Sequence, residues 1–270
     1  MPEGHTLYRL ADDVQAAFAG EKVAVSSPQG RFADSAALID EQVMEAAESA
    51  GKHLFVCFGN DQVLHVHLGL IGSLSLAPSP APPPVGAVRV RIEGETTYAD
   101  LRGAIVCELV TPARMAQIIA KLGPDPLRPD ADPERAFARI HRSHKPVGAL
   151  LMDQTVLAGV GNVYRAELLF RARLHPLTPG QRVSKRRWNR MWADLVGLMA
   201  DGVRTGKIDT VRAEHDPDAT GRPPRVDDHG GEVYVYRRVG QLCFVCSATV
   251  RSQLLEGRNL FWCPRCQRRR

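Results

Sequence analysis

Four cysteines constrain this chain more than any other feature. They fall as Cys243-x2-Cys246 and Cys263-x2-Cys266, with sixteen residues between the pairs. A two-residue gap lets both thiolates of a knuckle reach one ion at about 2.3 Å, and two knuckles close a tetrahedron. This is zinc-ribbon spacing, with an iron centre as the main rival. All four positions are protein ligands and none is left for water, so one structural zinc ion is expected and not a catalytic one. Cys57 and Cys107 lie on apolar stretches and read as buried thiols, so the six cysteines are not a disulfide framework.

At 270 residues the chain is long enough to bury a real core, in two domains or one large one. The net charge of +5 favours an anionic partner without naming it. The basic end Cys266-Gln267-Arg268-Arg269-Arg270 adds weak support, since such tails are usually only solvated. The sequence has no apolar run of transmembrane length, and the first 20 residues carry charges throughout, unlike a signal peptide. The expectation is a cytoplasmic protein with no membrane partner.

The first helix follows from Leu7, Leu10, Ala11, Val14, Ala17 and Phe18, which share one face before Gly20. Residues 22–26, 53–58, 63–68 and 88–92 alternate or run apolar with β-branched side chains, and 98–109 adds strand-like sequence. Gly59-Asn60-Asp61 makes a hairpin turn, and the proline-rich 77–84 reads as a surface loop. A short helix is expected at 114–121, ending in a run of prolines over 122–129 that no helix or strand crosses intact. Beyond it come short helices at 133–140 and 147–152, then another over 162–172. A longer helix starts near Ser184, with Trp188, Met191, Trp192, Leu195, Val196, Met199 and Val203 on one stripe. Residues 212–231 read as a mobile polar loop. The fold class is α+β. An antiparallel β-sandwich domain with a leading helix spans 1–112 and a hinge spans 113–129. A helical domain covers 130–211, and the zinc ribbon covers 232–270.

Three stretches suggest chemistry. Were Met1 removed, Pro2 would present a secondary amine beside Glu3, at the start of a helix. An α-amino group with a pKa of roughly 7.7–8 is substantially neutral near pH 7, and the helix amino terminus lowers that value further. A neutral amine attacks an aldehyde-like carbon to form a Schiff base. The plain alternative is a common Met-Pro start with Glu3 as a first-turn acid. Second, Leu157-Ala158-Gly159-Val160-Gly161-Asn162 brings glycines to a turn where a helix begins, which exposes backbone N–H groups to a phosphate. An ordinary helix connection capped by Asn162 competes with that reading. The third is the ribbon.

Together the Pro2-Glu3 start, this turn and the carboxyl-terminal ribbon resemble the formamidopyrimidine-DNA glycosylase/endonuclease VIII family of base-excision repair enzymes, over nearly the whole length. Pro2-Glu3-Gly4 looks like the endonuclease VIII branch, since the formamidopyrimidine branch typically opens Pro-Glu-Leu-Pro-Glu. The resemblance implies a bifunctional DNA glycosylase/AP lyase that acts on damaged DNA as a monomer. It makes Pro2 the nucleophile at C1′ and Glu3 the acid that protonates the sugar. It makes Lys52 a lysine of proton transfer and phosphate contact, and Asn162 the phosphate-binding asparagine of a helix–two-turns–helix motif. Arg258 matches the ribbon arginine that grips the phosphates flanking the lesion, and Leu70 the wedge that fills the gap left by a flipped base. His67 and Lys121 are further candidate DNA contacts.

Without the resemblance, Lys52 reads as a solvated strand-end charge, Leu70 as core and His67 as a core histidine. The chain also departs from the family pattern. His5-Thr6 stands where Pro-Glu is common, Ser247 where glycine usually follows the second cysteine, and Asn259 where Ser or Thr often follows the arginine. A non-catalytic zinc-ribbon DNA-binding protein of the same fold explains the charge and the ribbon but gives no role to Pro2, Glu3 and Lys52. An RNA-binding ribbon protein leaves the amino terminus equally unexplained.

Overall fold

A computed structural model describes residues 2–226 and 231–269. The chain divides into two compact units, Met1–Lys121 and Leu122–Arg270.

The first unit contains α1 (Gly4–Phe18), β1 (Lys22–Ser26), α2 (Ala33–Ile39), β2 (Gln42–Ala50) and β3 (His53–Phe58). It continues through β4 (Gln62–His67), β5 (Ser73–Pro78), β6 (Val88–Glu93), β7 (Thr97–Arg102), β8 (Val106–Val110) and α3 (Pro112–Ala120). All strand pairs are antiparallel, in the order β5-β7-β6-β1-β2-β3-β4-β8. Only Lys22↔Val43 and Val23↔Gln42 join β1 to β2, so the sheet folds at that seam. The two halves bury Ile92 and Leu101 from one side and Leu54, Val56 and Leu64 from the other in one core. Leu7, Val14 and Phe18 of α1 join them. This is the expected sandwich.

Three local features differ from expectation. β2 escapes sequence reasoning because Gln42–Ala50 is rich in Glu and Ala and buries only Met44 and Ala50. Pairing with β3 overrides that weak strand propensity. β5 ends on Pro78, inside the proline-rich stretch, and lies at the sheet edge, where a missing N–H removes no ladder bond. The 98–109 run splits at Gly103 into β7 and β8.

The second unit contains α4 (Pro133–His141), α5 (Val147–Leu150), α6 (Asn162–Arg171), α7 (Lys185–Thr205) and α8 (Pro217–Thr220), followed by the hairpin of β9 (Arg251–Leu255) and β10 (Arg258–Trp262). Local signals set several boundaries. Asp132 caps α4 through Glu134 N–H, Ser184 caps α7 through Arg187 N–H, and α7 stops at left-handed Gly206. Residues 212–226 are more ordered than a mobile loop. They include a 3-10 turn and α8, and Arg222 pairs with Glu232 at 2.6 Å while lying over the Phe244 ring. The remainder of that stretch, 227–230, lies outside the described residues.

At the centre of this unit stands α6, which buries every residue from Asn162 to Phe170. Two of those residues carry charge, and a buried charge is tolerable only when its hydrogen bonds are met. The Glu167 carboxylate accepts from the backbone N–H groups of Tyr234, Val235 and Tyr236 at 2.6–2.8 Å and from Thr210 Oγ1 at 2.7 Å. It thereby fixes the segment that leads into the ribbon. Glu167→Ala would strand three buried N–H groups and should lower stability by about 3–5 kcal/mol. Chemical denaturation monitored by tryptophan fluorescence measures this, and a loss within 1 kcal/mol (a conventional noise level, roughly one weak hydrogen bond) would show that the carboxylate does not hold the segment.

Candidate active site and nucleic-acid interface

In the first unit Pro2 lies one residue before the N-cap of α1 and is half-buried. Glu3 is fully buried at the N-cap position, where its carbonyl accepts from Thr6 N–H at 2.9 Å. His5 and Thr6, the departure from the family pattern, sit in the first turn of α1, with Thr6 Oγ1 and His5 Nε2 3.3 Å apart. The orphan N–H groups of a helix start give this end partial positive charge, which favours a neutral amine at Pro2.

Lys52 occupies the two-residue turn between β2 and β3, where Ala50 pairs with His53 and Gly51 has φ +60°. Positive φ at the first turn position suits the right-handed twist of a tight hairpin and fixes where Lys52 leaves the sheet. Next to it lies a histidine cluster that the sequence did not disclose beyond His67. His53 Nδ1 is 2.8 Å from His65 Nε2, and His65 Nδ1 is 3.0 Å from Glu108 Oε1. With Glu108 accepting, each imidazole passes one hydrogen bond along the row from β3 through β4 to β8. The His53 and His67 rings meet edge-on at 5.0 Å.

His67 Nδ1 accepts from Gly69 N–H at 3.0 Å, so a neutral His67 carries its proton on Nε2 and is a donor there. Burial first, then the positive charge of Lys52 and the neighbouring His65, holds His67 below its ordinary value. The same hydrogen bond ties His67 to the β4–β5 turn. Gly69 has φ +72° in that turn, a conformation that disfavours any side chain. The turn projects Leu70, 51% exposed, and Ile71, 86% exposed. Ile105, another exposed apolar residue, is tied to the same place by its N–H to the His67 carbonyl at 3.0 Å. Leu70 is therefore not core. Ile71 and Ile105 went unnoticed in the sequence, where nothing separates an exposed isoleucine from a buried one. Lys121 is exposed at the C-cap of α3.

In the second unit α5 and α6 flank two turns braced by one amide. Gln154 accepts from Gly159 N–H at 3.0 Å and donates to the carbonyls of Met152 and Val160, both at 2.9 Å. Asn162 opens α6 and donates to the Asn259 carbonyl at 3.1 Å; Arg165 donates to the same oxygen at 3.1 Å and also to Asn162 Oδ1. Arg258 precedes Asn259 in β10, just after a Glu256-Gly257 turn with positive φ at both positions. Asn162 and Arg258 are thus brought to neighbouring places. Asn259 contributes its carbonyl while its side chain is exposed, so the departure from Ser or Thr leaves this contact intact.

The four cysteine sulfurs lie within 4.8 Å of one another, with Cys243–Cys266 at 3.9 Å and Cys246–Cys263 at 3.4 Å. Thiolates bound tetrahedrally at about 2.3 Å sit about 3.8 Å apart, so the donor set fits a tetrahedral ion. Burial pushes the Cys243 thiol up to about 11 and raises Cys266 as well, so four thiolates here call for a cation between them. Ser247 has φ +57°, the left-handed conformation that explains a glycine preference at this position. Cys57 and Cys107, expected to be buried, are half-buried and lie away from this cluster in the first unit.

Residues 1–106 match the formamidopyrimidine-DNA glycosylase N-terminal domain, and residues 122–213 match the formamidopyrimidine-DNA glycosylase H2TH domain. Over 271 aligned residues the chain is 52% identical to Endonuclease 8 1 of Mycobacterium bovis, covering 99% of this chain and 100% of the relative. The chain belongs to the formamidopyrimidine-DNA glycosylase/endonuclease VIII family. It is also 31% identical to the formamidopyrimidine-DNA glycosylase of Streptococcus pneumoniae, over 86% of this chain and 84% of that one. The Lactococcus lactis Fpg in complex with abasic-site DNA shares the fold, with a TM-score of 0.79 at 20% identity over 99% of this chain and all of that one. No helix among the described residues is long and apolar enough to cross a membrane.

The histidine row gives a pH prediction for this family member. Burial, then His67, His65 and Lys52, lower His53 to about 3. An unfolded histidine takes up its proton near 6.5, so this site contributes stability above that pH and loses it as pH falls from about 6.5 toward 3. His53→Gln should flatten that acid limb of a denaturation-against-pH curve. In NMR the His53 ring of the parent should not titrate above about pH 4; a midpoint near 6.5 would show that burial does not keep His53 neutral.

Proposed function

We propose that the protein is a bifunctional DNA glycosylase and AP lyase that excises oxidised bases through a covalent intermediate on Pro2. The observation that carries this reading is a proline at the head of α1 with a fully buried carboxylate, Glu3, directly beside it. A base stacked in duplex DNA hides C1′, so the nucleotide must turn out of the stack at a cost of roughly a few kcal/mol. The exposed Leu70, with Ile71 and Ile105 beside it, offers apolar surface to fill the space left behind. Lys52, His67, Lys121, Asn162 and Arg258 offset the cost through phosphate contacts.

With Met1 removed, the Pro2 nitrogen donates its lone pair to C1′, and the bond from C1′ to the base breaks as the base leaves with its electrons. Glu3 takes up the proton lost from the Pro2 nitrogen and delivers it to O4′ as the C1′–O4′ bond breaks, which opens the sugar ring and leaves an iminium between Pro2 and C1′. That cation acidifies C2′; loss of its proton expels the 3′ phosphate, and a second elimination expels the 5′ phosphate. Lys52 and Arg258 handle protons and phosphate charge in the last step. A zinc ion held by Cys243, Cys246, Cys263 and Cys266 would supply structure, keeping the hairpin of Arg258 in place. The protein acts as a monomer in the bacterial cytoplasm.

Trapping tests the chemistry. Incubation with a labelled abasic duplex and borohydride should reduce the iminium to a stable protein–DNA adduct. A variant that retains Met1 has an amide at the Pro2 nitrogen and should form none. A robust adduct from that variant would move the nucleophile to a lysine.

Oxidised pyrimidines, such as thymine glycol and 5-hydroxyuracil, are the proposed substrates over 8-oxoguanine. The Pro2-Glu3-Gly4 opening and the similarity to a relative named Endonuclease 8 support this choice. A pocket whose buried polar groups match one base edge rejects bases that leave them unpaired. Single-turnover excision from otherwise identical duplexes should therefore release the pyrimidines at least tenfold faster, a difference of about 1.4 kcal/mol in activation free energy. Faster release of 8-oxoguanine opposite cytosine would reverse the assignment and leave the Pro2 chemistry untouched.

A further inference from the structure

The second unit holds a cavity of about 1250 Å³ that none of the residues discussed for the lesion enters. It lies at the carboxyl end of α6, with the amino end of α7 and the chain around Cys266 as its other walls. Asn162 opens the other end of α6, about 15 Å away along a ten-residue helix. Neither Asn162, Arg258 nor Asn259 lines it.

Nine arginines and one carboxylate line this cavity. The carboxylate, Asp194, is already engaged: Arg171 grips it at 2.7 and 2.5 Å and also donates to the Thr210 carbonyl at 2.6 Å. Among the described residues, no ion pair engages Arg186, Arg187, Arg190 or Arg268. Gathering like charges in a concavity opposes folding, and low-dielectric walls focus the resulting field on any anion outside. Lysine is absent from the lining. The planar guanidinium fork matches phosphate oxygens in pairs, where an ammonium is only a point charge.

We propose that this cavity binds the phosphodiester backbone of single-stranded DNA, at a site separate from the one that carries Asn162 and Arg258. Shape decides for a single strand, because a duplex is a stiff rod that cannot bend into a recess of this size, whereas a single strand can. The lining has no Phe, Tyr or Trp to stack bases, so contact is to phosphates and is independent of sequence. The large apolar residues of the lining, Leu174 and Met191, are buried at 3% and 2% exposure, so they offer little anchor to an acidic peptide beyond charge.

The test uses the full chain carrying Arg258→Ala, which removes the phosphate grip proposed at the lesion. Binding of a labelled, undamaged single-stranded oligonucleotide is followed by fluorescence anisotropy across a salt series. Adding Arg186→Ala, Arg190→Ala and Arg268→Ala together should weaken binding about tenfold, with a dependence on salt shallower by about 2, because each phosphate contact on a single strand contributes about 0.7 to the slope. Bound-metal content and thermal melting equal to those of the parent confirm that the exposed arginines were removed without unfolding. Should the triple alanine variant misfold, the Lys triple variant keeps the charge and should retain the salt slope while losing part of the affinity. Unchanged affinity and slope would overturn the proposal. So would a polyglutamate peptide that displaces the strand at equal charge, since the occupant would then be acidic protein. If Arg258 plays no part in DNA binding, Arg258→Ala alone leaves affinity unchanged, and that failure reads out separately from the cavity result.

Discussion

The second unit depends on one constraint: α6 is enclosed on every side for nine of its ten residues, yet carries Arg165 and Glu167. A helix of purely apolar residues would bury as well. Here both charges are answered by backbone groups from distant parts of the chain. Arg165 reaches the carbonyls of Gly148 and Asn259, and Glu167 receives the N–H groups of residues 234–236. Each such bond is strong because the surroundings exclude water, and each would be costly to leave unmet. The helix therefore dictates where α5, the approach to the ribbon and the β10 strand must lie.

The position of Asn162 beside Arg258 follows from the same constraint. One carbonyl oxygen, that of Asn259, receives both Asn162 and Arg165. The Asn162 end of α6 and the ribbon hairpin are thereby held together through a backbone carbonyl. In the first unit a comparable economy holds Lys52, His67 and Leu70. A two-residue turn presents the lysine, and a single imidazole nitrogen anchors the turn that displays the leucine. Short turns at the ends of paired strands position these side chains more tightly than a long loop would.

What the sequence disclosed and what it hid divide along physical lines. The cysteine knuckles, the amphipathic α1 and the Trp188-to-Met199 stripe of α7 are written in local spacing, and spacing survives in a one-dimensional string. So does the Ser184 cap. β2 was hidden because its Glu and Ala residues carry little strand preference and its partner strand supplies the reason for its shape. The His53–His65–Glu108 row was hidden because its members stand 12 and 43 positions apart and meet only across a register of three strands. Without the resemblance Leu70 reads as core, because hydrophobicity alone does not say which way a turn points. The residues of the arginine cavity come from 171 to 268, and no window of sequence contains them together.

Gln267 carries a consequence for how the ribbon is attached. Its side chain is fully buried; Oε1 accepts from Cys263 N–H and Nε2 donates to the Leu174 carbonyl, each at 2.9 Å. One amide thus spans from the backbone of a metal-ligand residue to the loop that ends α6. The ribbon is not a pendant joined through its connecting segment alone. Free energy gained when the knuckles close on an ion is shared with the end of the central helix, and order at that end favours closure in return. In the language of thermodynamic linkage, an ion held by the four cysteines would act as an effector of α6.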